Sequence, residues 1–404
     1  AIKLKRDKEG RMMRRLISTG IALMMPFLLA LPAAAFETRA KSAFIIDQTT
    51  GTVLLAKNAD QMLPPASMSK LMTLYIAFEA VRDGRLSLGE KLPVSKHAMS
   101  YGGSTMFLDT TDRVAVEDLL RGIIVLSGND ACAVIAEALS PDGTEAGFAR
   151  YMTQRAQQMG MTNSTFSNSN GWPQAGHRMS MRDLALLGSR LIKDFPNFYP
   201  LFAEREFKFD GRAPQNTRNR NPLLSLGIGA DGLKTGHTSE AGYGLVGSAK
   251  QRDRRIIFVI SGLQSAQARA EEAESIVNWA FRQFAVKPVA KAGTAVASAE
   301  VWMGRDQSVP LVPLEDVSML MPVASQGAVK AEVIYKGPIT APIAKDQQIA
   351  ELVITPPGLP ETRIPLVAAN DVPTGGFVSR VGTVAQMLIT QLNQAPVAPP
   401  QQGS

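Results

Sequence analysis

Ser67-Met68-Ser69-Lys70 heads the apolar run Leu71, Met72, Leu74, Tyr75 and Ile76, and this S-x-x-K tetrad occurs once in 404 residues. Two further patches follow in order, Ser127-Gly128-Asn129 and Lys234-Thr235-Gly236. Any one of the three arises easily by chance. The ordered set, a serine–lysine pair, a serine–asparagine pair and a lysine–threonine–glycine strand, points to one kind of site.

The chemistry accounts for the spacing. Residues three apart on a helix lie on one face about one turn apart, so the Ser67 hydroxyl and the Lys70 amine come within hydrogen-bonding reach. Serine is a poor nucleophile until its proton is taken. A lysine takes it only as the free amine, which requires desolvation or a neighbouring cation. The apolar helix supplies the first and Lys234 is a candidate for the second, so Lys70 is the expected base. Ser127 and Asn129 suit a loop opening a helix over Ala131 to Leu139. There the second hydroxyl relays a proton to a leaving amine, while Asn129 holds Lys70 or a substrate amide. Lys234 to His237, Tyr243 to Lys250 and Arg255 to Gly262 read as three strands joined by turns at 238–242 and 251–254. Gly236 has no side chain, which leaves that strand edge open to a substrate backbone. An ordinary solvated helix and hairpin would explain each patch, but not their order.

On these residues the chain resembles the low-molecular-mass penicillin-binding proteins, serine-type D-Ala-D-Ala carboxypeptidases of the penicillin-binding protein 5 type. The likeness extends from about Ala43 to about Leu392 and rests on Pro65 to Thr73, Ser127 to Cys132 and Asp231 to Thr238. It implies an α+β fold, with a penicillin-binding/β-lactamase-like transpeptidase domain (an antiparallel sheet flanked by helices) over residues 36–287 and a small all-β sandwich over 288–373. The short alternating runs Val329 to Tyr335 and Ile349 to Ile354 read as strands and support that second domain. By the same resemblance Ser67 is the nucleophile, Lys70 the base, Ser127 and Asn129 the second motif, and Lys234 and Thr235 the third. The backbone N–H groups of Ser67 and His237 form the oxyanion hole. Arg220, in Asn219-Arg220-Asn221, lies near the substrate carboxylate. The implied substrate is the peptidoglycan stem pentapeptide, and β-lactams are the implied covalent inhibitors. A DD-endopeptidase cutting cross-links and a catalytically silent cell-wall binding protein are the alternatives. A β-lactamase is disfavoured, because no E-x-x-L-N stretch lies between Asn129 and Lys234. Glu274-Ser-Ile-Val-Asn278 matches only superficially: it follows the third motif and lies in a helical pattern.

Charge argues against nucleic acid. The formal net charge is +7, but residues 1–15 carry seven Lys or Arg against Asp7 and Glu9, leaving 36 basic and 34 acidic residues elsewhere. That basic start, the apolar run Leu16 to Leu31 and Ala33-Ala34-Ala35 read as a signal peptide with an N-terminal extension over 1–35, translation starting at Met12 or Met13. An uncleaved membrane helix is the alternative. The expected location is periplasmic. From 374 to 392, Phe377, Val381, Val384, Leu388 and Leu392 form one helical stripe, too short and too polar to span but suited to the inner-membrane surface or to the β-domain. Residues 393–404 read as a disordered tail. Cys132 is the single cysteine and reads as a buried structural thiol, and His97, His177 and His237 show no metal-ligand spacing. No metal or cofactor is expected.

Overall fold

The computed structural model describes residues 3–6, 36–212, 215–325 and 329–376. Apart from residues 3–6, the expected signal segment lies outside the described residues, as does the expected amphipathic helix from Phe377 onward. The chain divides into two compact units between Gln283 and Phe284.

The first unit is organised on a five-stranded sheet of β1 (Ser42–Asp47), β2 (Val53–Lys57), β3 (Ala230–Thr238), β4 (Gly242–Gln251) and β5 (Arg254–Leu263). The order is β2-β1-β5-β4-β3, and every neighbouring pair is antiparallel. Central β5 explains the layering. Ile256, Phe258 and Ile260 point into a core shared with Ala273, Ile276, Val277 and Ala280 of the helix Ala266–Gln283. Ile257 and Val259 point into the larger core on the opposite face. A strand covered on both faces reads as a continuous apolar run, as Arg254–Leu263 does.

The larger core holds α1 (Lys70–Arg82), α2 (Asn129–Leu139), α3 (Glu145–Gln158) and α4 (Met181–Asp194), and the helix Ala266–Gln283 on the other face is α5. Helix α1 is buried continuously from Lys70 to Ala80. A helix apolar on all sides is a central helix rather than a surface one, which puts its first residue, Lys70, inside the protein. The Ser180 side chain caps α4 by accepting from Asp183 N–H. Asp183 does not complete a capping box: its carboxylate accepts from Asn163 N–H at 2.8 Å and Ser164 Oγ at 2.7 Å, tying down the loop that leads to the site.

The second unit is all-β among its described residues, apart from the single 3-10 turn Val323–Ser325. Phe284–Ala290 pairs with Val317–Pro322, and a seven-stranded sheet includes Lys330–Tyr335, Gln348–Thr355 and Thr362–Ala368, with Lys3–Arg6 parallel at one edge. Val333, Leu352 and Leu366 of the large sheet share one core with Met319 of the small one.

Candidate active site

Ser67 lies on a 3-10 turn, Ala66–Ser69, and the α-helix proper begins at Lys70, slightly later than the sequence suggests. Ala66 holds a left-handed φ of 49°. This sparsely populated conformation persists only where the surroundings fix it. Two glycines do so. A β-carbon on Gly171 would collide with the Ala66 carbonyl, and one on Gly236 would stand 3.0 Å from both Met68 Cγ and Pro65 O. Gly236 thus faces inward and lets β3 press against the turn that carries Ser67, a packing reason beyond the open strand edge expected from sequence.

Lys70 Nζ lies 2.8 Å from Ser67 Oγ, 2.7 Å from Asn129 Oδ1 and 2.5 Å from the carbonyl oxygen of Asn170. The lysine is wholly buried. Burial brings its pKa from 10.5 down to about 8, with the charge of Arg220 acting in the same direction. Lys234, the cation foreseen for this role, interacts electrostatically with Lys70. It is itself buried, and burial followed by the charges of Lys70 and Arg220 holds it well below the usual lysine range.

The second motif follows a π-type turn, Gly122–Leu126, that ends at Ser127 with φ 61°. Ser127 Oγ is buried without a hydrogen-bond partner among the described residues. A buried orphan hydroxyl costs roughly 1–3 kcal/mol, so its retention calls for a functional reason. Asn129 opens α2, donates from Nδ2 to Gly102 O at 2.9 Å and presents Oδ1 to Lys70. Asp130 accepts from Met106 N–H at 3.0 Å and Leu108 N–H at 3.1 Å, fixing the segment that borders Asn129.

The third motif lies on β3, an edge strand paired, among the described residues, only with β4. Lys234, Thr235 and Gly236 are buried, whereas His237 is exposed with its ring stacked on Tyr243 at 3.9 Å. At the start of β3, Asp231 accepts from both terminal nitrogens of Arg255 at 2.8 and 2.7 Å and from Tyr199 Oη at 2.7 Å. Arg220 donates to Ser104 Oγ at 2.7 Å and Asn216 Oδ1 at 3.0 Å. Its backbone oxygen accepts from Arg269 at 3.4 Å. Sequence reasoning missed Arg269, which is buried, has no partner for Nε among the described residues, and whose charge also bears on Lys234. Lys234, Arg220 and Arg269 together make this flank attractive to a carboxylate.

The segment over 163–173, which carries no motif, also shapes the site. Thr73 Oγ1 donates to Ser169 O at 2.5 Å, and Asn168 Oδ1 accepts from Asn170 and Gly171 N–H at 3.2 and 2.8 Å. The Asn170 carbonyl is thereby brought to Lys70. Cys132 is buried in the core, where burial raises its thiol to about 12. Glu274 is exposed on α5, whose buried residues join the core on the opposite side of the sheet from the one holding α1. Among the described residues no group of His, Cys, Asp and Glu has the makings of a metal site.

A nucleophilic hydroxyl against a buried, depressed amine, a second hydroxyl left open and a cationic flank together define a serine acyl-transfer site of the penicillin-recognising class. Sequence comparison gives the family. The profile of the D-alanyl-D-alanine carboxypeptidases matches residues 30–265, and that of the penicillin-binding protein 5 C-terminal domain matches 284–374. The chain belongs to the D-alanyl-D-alanine carboxypeptidase family. It is 33% identical to D-alanyl-D-alanine carboxypeptidase DacF of Bacillus subtilis, over 91% of this chain and 97% of that protein. It is 34% identical to DacC of Escherichia coli, over 92% and 96%. Among solved structures, penicillin-binding protein 5 of Haemophilus influenzae superimposes with a TM-score of 0.69 at 33% identity, covering 83% of this chain and 98% of that one. Penicillin-binding protein D2 of Listeria monocytogenes, in its ampicillin-bound form, does so with a TM-score of 0.54 at 31% identity over 60% of this chain and 97% of that one.

Proposed function

We propose that this protein is an acyl-serine DD-carboxypeptidase that removes the terminal D-Ala from peptidoglycan stem pentapeptides. The observation that carries the reading is Lys70 Nζ at 2.8 Å from Ser67 Oγ in a buried setting that brings the amine to about 8. A fraction of Lys70 is then free base near neutral pH and takes the Ser67 proton as Oγ attacks the penultimate carbonyl. The backbone N–H groups of Ser67 and His237 receive the oxyanion, and Lys234, Thr235 and Arg220 meet the terminal carboxylate. Ser127 passes a proton to the departing D-Ala amine, and water then hydrolyses the ester on Ser67.

The protein is exported by the segment 1–35, works in the periplasm and attaches to the inner-membrane surface through 374–392. These parts rest on the sequence pattern. Incubating the mature protein with a pentapeptide and with a cross-linked dimer, and weighing the products, tests the reading. It predicts free D-Ala and tetrapeptide from the first. Cleavage of the dimer alone supports the endopeptidase, and inertness toward both supports the silent binding protein.

A further inference from the structure

One buried acid in the catalytic unit has no place in the scheme above. Glu145 opens α3, is almost wholly inaccessible, and its two oxygens accept four side-chain or backbone donors drawn from two distant segments. Oε1 accepts from Ser169 N–H at 2.9 Å and from Ser169 Oγ at 2.5 Å. Oε2 meets His97 Nε2 at 2.6 Å and accepts from Tyr101 Oη at 2.7 Å. These contacts hold it ionised, since they outweigh the burial that opposes charge.

The placement of Ser169 gives the carboxylate its meaning. Ser169 immediately precedes Asn170, whose carbonyl accepts from Lys70 Nζ at 2.5 Å. Its own carbonyl is held by Thr73 on α1, one turn beyond Lys70. Tyr101 in turn lies edge-on to Trp172 at 6.1 Å, on the far side of the same loop. Four donors saturate the carboxylate, so Glu145 has no free lone pair with which to activate a deacylating water.

We propose that Glu145 is a positioning residue for Lys70: by gathering His97, Tyr101 and Ser169 onto one buried carboxylate, it fixes the Asn170 carbonyl against the Lys70 amine. This rests on the reading of Lys70 as the base. The groups around Lys70 that bear on its protonation are Cys132, Asp130 and Glu145, which favour the charged form, and Arg220, Lys234 and His177, which share its sign when protonated. Those around Glu145 are His97, Tyr101, Lys70, Cys132 and His177. Removing the Glu145 charge and loosening the Asn170 acceptor both disfavour ammonium. The two effects therefore move Lys70 in one direction, toward lower pKa.

The test is the second-order rate of penicillin acylation of the full chain as a function of pH, read by intact mass. In Glu145→Gln the plateau falls roughly tenfold, and the midpoint of the rising limb moves down by about half a pH unit or more. Glu145→Asp returns the midpoint toward wild type. If Glu145→Gln does not fold, Ser169→Ala serves in its place, since it keeps the charge and loses one donor. It is expected to slow acylation and move the midpoint the same way by less. A lowered plateau with an unmoved midpoint makes the network merely structural and overturns the proposal, as does a wild-type profile in either variant. A wild-type enzyme that penicillin fails to acylate at Ser67 would instead overturn the proposed function.

Discussion

Gly171 lies so close to Ala66 that the two segments interlock: a β-carbon at 171 would run into the Ala66 carbonyl, and Gly171 itself holds φ 83°. The loop that supplies the Asn170 carbonyl and the turn that supplies Ser67 therefore cannot shift independently. Gly171→Ala combines a steric clash with a left-handed backbone that alanine disfavours, a cost of about 2–4 kcal/mol. Thermal unfolding should show a clear loss of stability, and acylation should fall at least tenfold. Wild-type behaviour on both counts would show that the loop and turn move apart freely.

Ser127 separates stability from activity. Its hydroxyl is buried without a partner, so Ser127→Ala removes an unsatisfied group and leaves the denaturation midpoint unchanged or slightly raised. Turnover of the pentapeptide should nevertheless fall by a factor of about 100, the usual scale for a lost proton-transfer group. Unchanged turnover would remove Ser127 from the mechanism.

Lys70 carries a cost with a definite sign. Its folded pKa of about 8 lies below the 10.5 of the unfolded chain, so the unfolded state binds more protons between these values. The penalty is fully present below pH 8 and disappears as pH rises through 10.5. Lys70→Met removes the buried amine at similar volume but leaves Asn129 Oδ1 and the Asn170 carbonyl without their donor, so the variant should compare more favourably with wild type at pH 7 than at pH 10, and it should eliminate acylation. Chemical denaturation at pH 7 and pH 10 measures the first effect, and mass analysis after mixing with penicillin the second. A stability difference from wild type that is the same at pH 7 and pH 10 would show that the amine is not strained by burial.

The expected attachment through 374–392 predicts that truncation after Pro373 releases active enzyme into the soluble periplasmic fraction. Replacing Val381 and Leu388 by Asp should do the same, since charge on the apolar stripe opposes interfacial burial. Membrane fractionation of both variants that matched wild type would reject the anchor.

The three motifs and their meeting were legible because each is a short local pattern with a chemical reason. The hairpin strands β3, β4 and β5 lie within a residue or a few of their expected bounds. What stayed hidden depends on contacts between distant segments. Asn170 acts through its backbone carbonyl, which no residue type announces, and reaches Lys70 across 100 positions. Glu145 reads as an ordinary first-turn acid until the fold brings His97, Tyr101 and Ser169 to it. Arg269 belongs to an amphipathic helix pattern without a motif, and only the packing of α5 near Arg220 sets it beside the site. The burial of Lys234, which lowers its own pKa, was likewise not visible in sequence.

The central claim is that Ser67, activated by Lys70, is acylated and that the site lacks a spare base for rapid release of a bulky acyl group. Intact-protein mass spectrometry after mixing with penicillin tests it most directly. The account predicts a persistent adduct of one penicillin, mapped to the peptide containing Ser67 and absent from both Ser67→Ala and Lys70→Arg, the latter because guanidinium stays protonated. Rapid multiple turnover of penicillin with no trapped adduct, or an adduct that survives Ser67→Ala, would contradict it.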